Sequence, residues 1–153
     1  MKFTKGYWMN LPGVTNTDAV QVREVKVEND RVYLYTVPYH ADMRAMGGPL
    51  LEMYISSPQP DIIRTEAYHF MGSNQKMPAF ELNDAHCALE VENTETTVTI
   101  KSGNTKLVIG KNPCSFDYYY KDKKLTSIGN RFGNAMISTI STPDGNYMRA
   151  QMN

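Results

Sequence analysis

The strongest constraint on the fold is the stretch from Glu95 to Ser127, in which branched and aromatic segments alternate with turn residues. The predicted strands of this stretch are 96–100, 106–109 and 114–120. The turn sequences between them are Ser102-Gly103-Asn104 and 110–113. Glycine and asparagine in these turns tolerate a positive φ, and Pro113 restricts φ to a negative value. Branched and aromatic side chains pack well on a pleated sheet. The stretch therefore predicts an antiparallel meander, with a charged tip at 121–124 and a returning strand at 125–128.

The rest of the chain continues this pattern of short strands. Further strands are predicted at 20–28, 31–37, 51–55, 62–70, 88–92, 135–140 and 147–152. Within 20–28 the apolar phase slips by one residue, which indicates a β-bulge. The opening, 5–17, reads as a loop-like arm with aromatic anchors Tyr7 and Trp8. About eleven short strands without a sustained helical period predict one all-β domain over 1–153, an antiparallel β-sandwich.

Bulk composition excludes several classes of protein. Of 153 residues, 41% are apolar and 21% are charged, which suits a folded domain with one core. Lys plus Arg and Asp plus Glu both number 16, so the surplus of positive charge that nucleic-acid binding requires is missing. No run approaches the roughly 18 apolar residues that cross a bilayer. We therefore expect neither nucleic acid nor membrane as a partner.

The cysteines and the N-terminus favour a cytoplasmic location. Residues 1–6 lack the apolar core of a signal peptide. Cys87 and Cys114 could pair in principle, but free thiols are the interpretation we favour, since cytosolic disulfides are rare.

No residue pattern predicts a cofactor, a metal site or a catalytic group. His40, His69 and His86 lie far apart, and the adjacent His86 and Cys87 would point to opposite faces of a strand. Gly110-Lys111 is followed by Asn112, which does not fit a phosphate loop. The strand glutamates alternate with apolar residues, as on a solvated sheet face: Glu24, Glu28, Glu52, Glu66, Glu90 and Glu92.

Aromatic residues are the one feature that leaves two interpretations open. The chain has ten tyrosines, and Tyr118, Tyr119 and Tyr120 place rings on both faces of one predicted strand. These rings, with Trp8, could form a sugar-stacking platform. Alternatively, the strand could lie in a sheet covered by its partner sheet and by another domain. We favour the packing interpretation, because the ten methionines also suit a packing surface.

Several stretches, in order, resemble the first residues of bacterial α-xylosidases of glycoside hydrolase family 31. They are Gly6-Tyr7-Trp8-Met9-Asn10-Leu11-Pro12-Gly13, Pro49-Leu50-Leu51-Glu52-Met53 and Ile63-Arg64-Thr65-Glu66-Ala67-Tyr68-His69-Phe70. Ser102-Gly103-Asn104 with Val108-Ile109-Gly110-Lys111 continues the same order, so the resemblance covers nearly the whole chain.

The resemblance implies a β-sandwich of galactose-mutarotase-like topology that packs against a (β/α)8 catalytic barrel. It also implies a retaining enzyme whose aspartate nucleophile and aspartate acid/base both lie on that barrel. The nucleophile motifs, Trp-x-Asp-Met-Asn-Glu-like or Lys-Thr-Asp-Phe-Gly-Glu-like, do not occur in this sequence. No catalytic or sugar-binding residue carries over to this chain.

Our hypothesis is that residues 1–153 are the N-terminal, non-catalytic β-sandwich of an α-xylosidase- or α-glucosidase-like enzyme. The parent would hydrolyse terminal α-glycosidic bonds of an oligosaccharide, and this domain would brace the barrel and shape the substrate entrance. A domain without its barrel should leave an apolar face in water, so we expect self-association through that face. The alternatives are a stand-alone carbohydrate-binding module and a mutarotase-type sugar epimerase. The epimerase would require a histidine and a glutamate in one cleft.

Overall fold

The protein is an antiparallel β-sandwich, seen in a computed structural model that describes residues 2–5, 9–38, 51–69, 85–129 and 137–150. These residues contain fourteen strands: β1 Thr4–Lys5, β2 Met9–Asn10, β3 Thr15–Asp18, β4 Gln21–Val27, β5 Arg31–Val37, β6 Leu51–Ser56, β7 Arg64–Tyr68, β8 Glu90–Asn93, β9 Thr97–Ser102, β10 Thr105–Lys111, β11 Cys114–Tyr120, β12 Lys123–Ile128, β13 Ile137–Thr142 and β14 Gly145–Ala150. In the described ranges no helix is both long and apolar enough to span a membrane. The prediction of an all-β sandwich is confirmed.

The predicted meander forms most of a five-stranded sheet with the order β12-β11-β10-β9-β8. Strand β11 has the predicted bounds, Cys114–Tyr120. The charged tip is shorter than predicted, because only Lys121 and Asp122 form the turn and both have a positive φ, 45° and 63°. A two-residue turn with this backbone matches the twist of its strands. Lys123 and Lys124 therefore already pair with Tyr120 and Tyr119.

The second layer is a four-stranded sheet with the order β4-β5-β6-β7. The bulge predicted within 20–28 is confirmed by a shift of register between Val22 and Glu24. The extra residue brings Val22, which is buried, and Val25, which packs on the core, to the same inner side of the sheet. The bulge thus explains how a strand whose apolar residues change phase in the sequence still has a single buried face.

A third sheet, β14-β13-β3, corrects the prediction that 5–17 is a loop-like arm. Strands β1 and β2 pair with each other, and β3 pairs with β13. The chain then changes sheets, because the Ala19 amide donates to Ile137 O at 2.8 Å and the Val20 amide donates to Val37 O at 2.9 Å. Strand β3 has the sequence Thr-Asn-Thr-Asp. Because it contains no apolar residue, its alternation could not be recognised in the sequence, and only main-chain pairing defines it. Tyr7 and Trp8 lie outside the described residues.

The core lies between the four- and five-stranded sheets. Its largest fully buried side chains come from both layers and include Leu34, Met53, Ile55, Ile100, Leu107, Ile109 and Phe116. Polar contacts also cross between the layers: Ser57 Oγ lies 2.6 Å from Ser102 Oγ, and Tyr118 Oη lies 3.0 Å from Thr65 Oγ1. The layers therefore share one interdigitated core of the kind that defines a sandwich.

Asp61 joins the β6–β7 connection to the β9–β10 turn. Its carboxylate accepts hydrogen bonds from the Asn104 backbone amide and side chain, and its carbonyl accepts one from Thr105 Oγ1 at 2.6 Å. Gly103 in that turn has a φ of +57°, and a Cβ there would lie 2.2 Å from Asp61 Oδ1. Glycine is thus required both by the backbone conformation and by the close approach of Asp61.

Candidate functional site

The three tyrosines singled out in the sequence lie on two faces of β11. Tyr118 points inward, packs against the core cluster and bonds Thr65 on the facing sheet. Burial raises the pKa of its phenol. Tyr119 alternates to the outer face, and Tyr120 ends the strand with 38% of its surface exposed. Tyr118 therefore belongs to the packing between the sheets, and Tyr119 and Tyr120 are the accessible rings.

Cations lie over both of these accessible rings. Lys106 Nζ is 5.0 Å from the centroid of Tyr119, and Lys121 Nζ is 5.5 Å from that of Tyr120. Lys106 Nζ also donates to Asp122 Oδ1 at 2.8 Å. A sugar stacking on Tyr119 would have to displace a lysine that is already paired. The sugar-stacking role of Trp8, Tyr118, Tyr119 and Tyr120 remains a prediction, and Trp8 lies outside the described residues.

A second group of aromatic rings, missed in the sequence, crosses the outer face of the four-stranded sheet. We call Tyr33, Tyr54 and Tyr68 the tyrosine stripe. Tyr33 and Tyr54 pair directly across β5 and β6 with ring centroids 5.4 Å apart, and Tyr54 and Tyr68 are 6.1 Å apart. The rings are tilted by 54° and 69°, so they pack edge against face. Such tilted rings do not offer one flat platform.

Charged side chains enclose the tyrosine stripe. Arg31 lies 4.5 Å above the Tyr54 ring, and Lys26 lies 5.3 Å from that of Tyr33. The Tyr33 hydroxyl donates to Glu52 Oε1 at 3.1 Å. Burial, followed by this bond to Glu52, raises the pKa of Tyr33 to about 12. The Tyr33 hydroxyl is therefore protonated at physiological pH and bonded to Glu52.

The glutamates behave largely as the sequence predicts. Glu24, Glu28, Glu90 and Glu92 are exposed, while Glu52 and Glu66 are half-buried against the tyrosine stripe. Glu66 accepts from the Tyr68 hydroxyl at 3.1 Å and lies 3.6 Å from Arg64 Nε. The tyrosine stripe could not be predicted from the sequence, because it depends on the register in which β5 pairs with β6. Glu52 and Glu66 thus accept hydrogen bonds from tyrosine hydroxyls, and Glu24, Glu28 and Glu66 form ion pairs.

The thiols and imidazoles form no metal centre in the described part of the chain. Cys87 and Cys114 are both free, and burial raises the pKa of Cys114 to about 12. His86 Nε2 lies 3.6 Å from Asp30 Oδ2 on the surface. His40 lies outside the described residues. His69 is the histidine that meets a cavity.

That cavity is a cleft of about 380 Å³ on the three-stranded sheet. Thr17, Thr139 and Met148 form one cross-strand row of its lining, and Ser141 and Asn146 form the next. His69, which follows β7, and Tyr147 complete the lining. The Tyr147 hydroxyl accepts from Lys2 Nζ at 2.7 Å, and its ring centroid lies 5.1 Å from that of Phe3.

This lining bears on the epimerase alternative. The described residues that line the cleft include one histidine and no glutamate or aspartate. Among the described lining residues, no glutamate accompanies the histidine that such an enzyme would also need. The hydroxyls and the carboxamide of the described lining residues can bind a polar ligand.

Comparison with solved structures relates the fold to parts of much larger proteins. The chain resembles the cycloalternan-forming enzyme of Listeria monocytogenes, solved with a pentasaccharide substrate, with a TM-score of 0.62, 18% identity and coverage of 87% of this chain and 11% of that chain. It also resembles an uncharacterized protein from Listeria monocytogenes EGD-e, solved with glucose, magnesium and calcium. That match has a TM-score of 0.63, 16% identity and coverage of 90% and 12%.

No protein-family profile matches the chain. At 16% to 18% identity, the structural likeness concerns the fold alone. This chain spans 11% to 12% of the length of the solved chains that it matches. Its β-sandwich thus has the fold of a small part of these larger proteins.

Proposed function

We propose that this chain is the N-terminal, non-catalytic β-sandwich of a larger carbohydrate-processing enzyme. The observation that carries the proposal is that its fold matches about a ninth of longer chains, one of them solved with a pentasaccharide substrate. The finer assignment, a retaining α-xylosidase or α-glucosidase of glycoside hydrolase family 31, rests on the sequence resemblance. The parent would hydrolyse terminal α-glycosidic bonds, with both reacting aspartates on a barrel outside residues 1–153.

The proposed role of the domain is to brace that barrel and shape the substrate entrance. Support comes from the arrangement of the described side chains. The large apolar residues fill one core between the sheets, and the half-buried glutamates contact tyrosines and arginines. Enzymes lower barriers by about 8–23 kcal/mol, whereas Glu52 and Glu66 are engaged in these structural contacts. The free thiols support a cytoplasmic location for the parent.

The outer face of the four-stranded sheet is the proposed contact with the barrel. It carries the three rings of the tyrosine stripe among charged side chains. The outer face of the five-stranded sheet carries Tyr119 among lysines, threonines and acidic residues, which include Lys101, Lys106, Thr99, Asp117 and Glu90. Aromatic residues are enriched at protein interfaces. When the barrel is absent, the same face would support self-association of the isolated domain.

Two measurements test the domain assignment. The purified chain should release no chromophore from aryl α-xylosides or α-glucosides, and the coding sequence after Asn153 should specify a barrel with two catalytic aspartates. Hydrolysis by residues 1–153 alone would refute a non-catalytic role. A stop codon directly after Asn153 would instead favour the stand-alone carbohydrate-binding module.

A further inference from the structure

We propose that the cleft on the three-stranded sheet is a non-catalytic binding site for a neutral saccharide. The proposal depends on the proposed function only for the choice of sugar probes, since the argument comes from the cleft itself. Its volume of about 380 Å³ falls within the range of small-molecule sites, about 300–1,000 Å³. A mono- or disaccharide is the ligand that its chemistry fits.

The floor of the cleft is a sheet face on which neutral hydrogen-bonding groups lie beside apolar surface. Thr139 pairs with Thr17 on one side and Met148 on the other, and Ser141 pairs with Asn146. Residues directly opposite one another in antiparallel strands have Cβ atoms about 4.5–5.5 Å apart. A hydroxyl both donates and accepts, and a carboxamide does the same through separate atoms. These rows therefore match the hydroxyls of a sugar, which also donate and accept.

Strand alternation keeps the neighbouring charges out of the cleft. Asp18 and Arg149 are adjacent in sequence to Thr17 and Met148, so their side chains point to the opposite face of the sheet. There they flank Ser138, which pairs with both residues. None of the described lining residues is Lys, Arg, Asp or Glu. Among these described residues a phosphate or carboxylate would find no permanently charged partner, which favours an uncharged ligand.

Apolar contacts complete the match to a sugar. Met148 is 41% exposed at the cleft, and its flexible thioether adapts to irregular surfaces. Tyr147 pairs with the buried Ile140, so its ring lies on the opposite face of the sheet and the apolar contact on the floor comes from Met148. The C–H faces of a pyranose can pack on such a surface while its hydroxyls bond the floor.

The test is a titration of the isotope-labelled chain with glucose, xylose, maltose and isomaltose, followed by amide chemical shifts. We expect saturable shifts clustered at Thr17, Thr139 and Asn146, with dissociation constants near the millimolar range. Asn146→Ala should weaken binding about tenfold, equivalent to about 1.4 kcal/mol. Ser141→Ala serves as a second variant if Asn146→Ala lowers the melting temperature.

The matched control is Asn93→Ala, an exposed asparagine on β8 that lies outside the cleft lining, which should leave affinity unchanged. Three results would overturn the proposal: no shifts at tens of millimolar sugar, shifts centred on Tyr119 and Tyr120, or tighter binding of glucose 6-phosphate than of glucose. A failure here leaves the domain assignment intact, because that assignment is tested by hydrolysis and by the downstream coding sequence.

Discussion

The hydroxyl of Tyr118 gives the sharpest test of how the two layers are joined. Its Oη lies 3.0 Å from Thr65 Oγ1 across the core. A typical intramolecular hydrogen bond contributes about 0.5–1.5 kcal/mol, and an unsatisfied buried partner adds to the loss. Tyr118→Phe keeps the packed ring and removes only this bond. We therefore expect the free energy of unfolding to fall by about 1 kcal/mol.

The assay is urea denaturation within a double-mutant cycle. Tyr118→Phe, Thr65→Val and the double variant should give a coupling energy of about 1 kcal/mol, because the residues contact each other directly. For a domain of this size, that loss corresponds to a fall of about 2–4 °C in melting temperature. Tyr119→Phe, on the outer face of the same strand, is the control and should change stability by less than about 0.5 kcal/mol.

A coupling energy near zero would refute the inter-sheet bond. A large loss of stability in Tyr119→Phe together with none in Tyr118→Phe would refute the assignment of faces on β11.

The phenol of Tyr118 also predicts a dependence of stability on pH. Because burial raises the folded pKa of Tyr118, an unfolded phenol ionises first as pH rises above 10, and stability is lost there. Tyr118→Phe should remove that part of the alkaline loss.

Three further predictions concern the core and the Asp61 turn. Phe116→Ala should cost about 3–5 kcal/mol in urea denaturation, because the ring is 1% exposed between the sheets; a loss under 1 kcal/mol would contradict that packing. Cys114 ionises in the unfolded chain near pH 9 but only near pH 12 when folded, so stability should fall between those values by about 1.4 kcal/mol per pH unit. Cys114→Ser or Cys114→Val should remove this contribution and leave that of Tyr118 above pH 10. Rapid labelling of native Cys114 by a thiol reagent would argue against its burial. Gly103→Ala should cost roughly 1–3 kcal/mol through its positive φ and its clash with Asp61 Oδ1, and less in an Asp61→Ala background; equal losses in both backgrounds would exclude the clash.

Sequence patterns alone predicted most of the strands, because each is short, locally alternating and bounded by turn residues. Strand β11 and the hairpin partner Arg31–Val37 have the predicted bounds. The bulge in β4 was visible as a slipped apolar phase, since a two-residue period shows any inserted residue directly. What the sequence determined by itself, therefore, was the class of fold and the composition of its inner faces.

Only the tertiary structure decided which distant residues share a surface. The tyrosine stripe depends on the register of β5, β6 and β7, and the cleft depends on a polar strand, β3, that pairs with β13. Neither the register nor the polar strand has a local apolar signal, because both are set by main-chain hydrogen bonds between segments far apart in sequence. Local periodicity fixes which side chains face inward, whereas long-range pairing fixes which outward side chains meet, and both candidate surfaces are built from outward side chains.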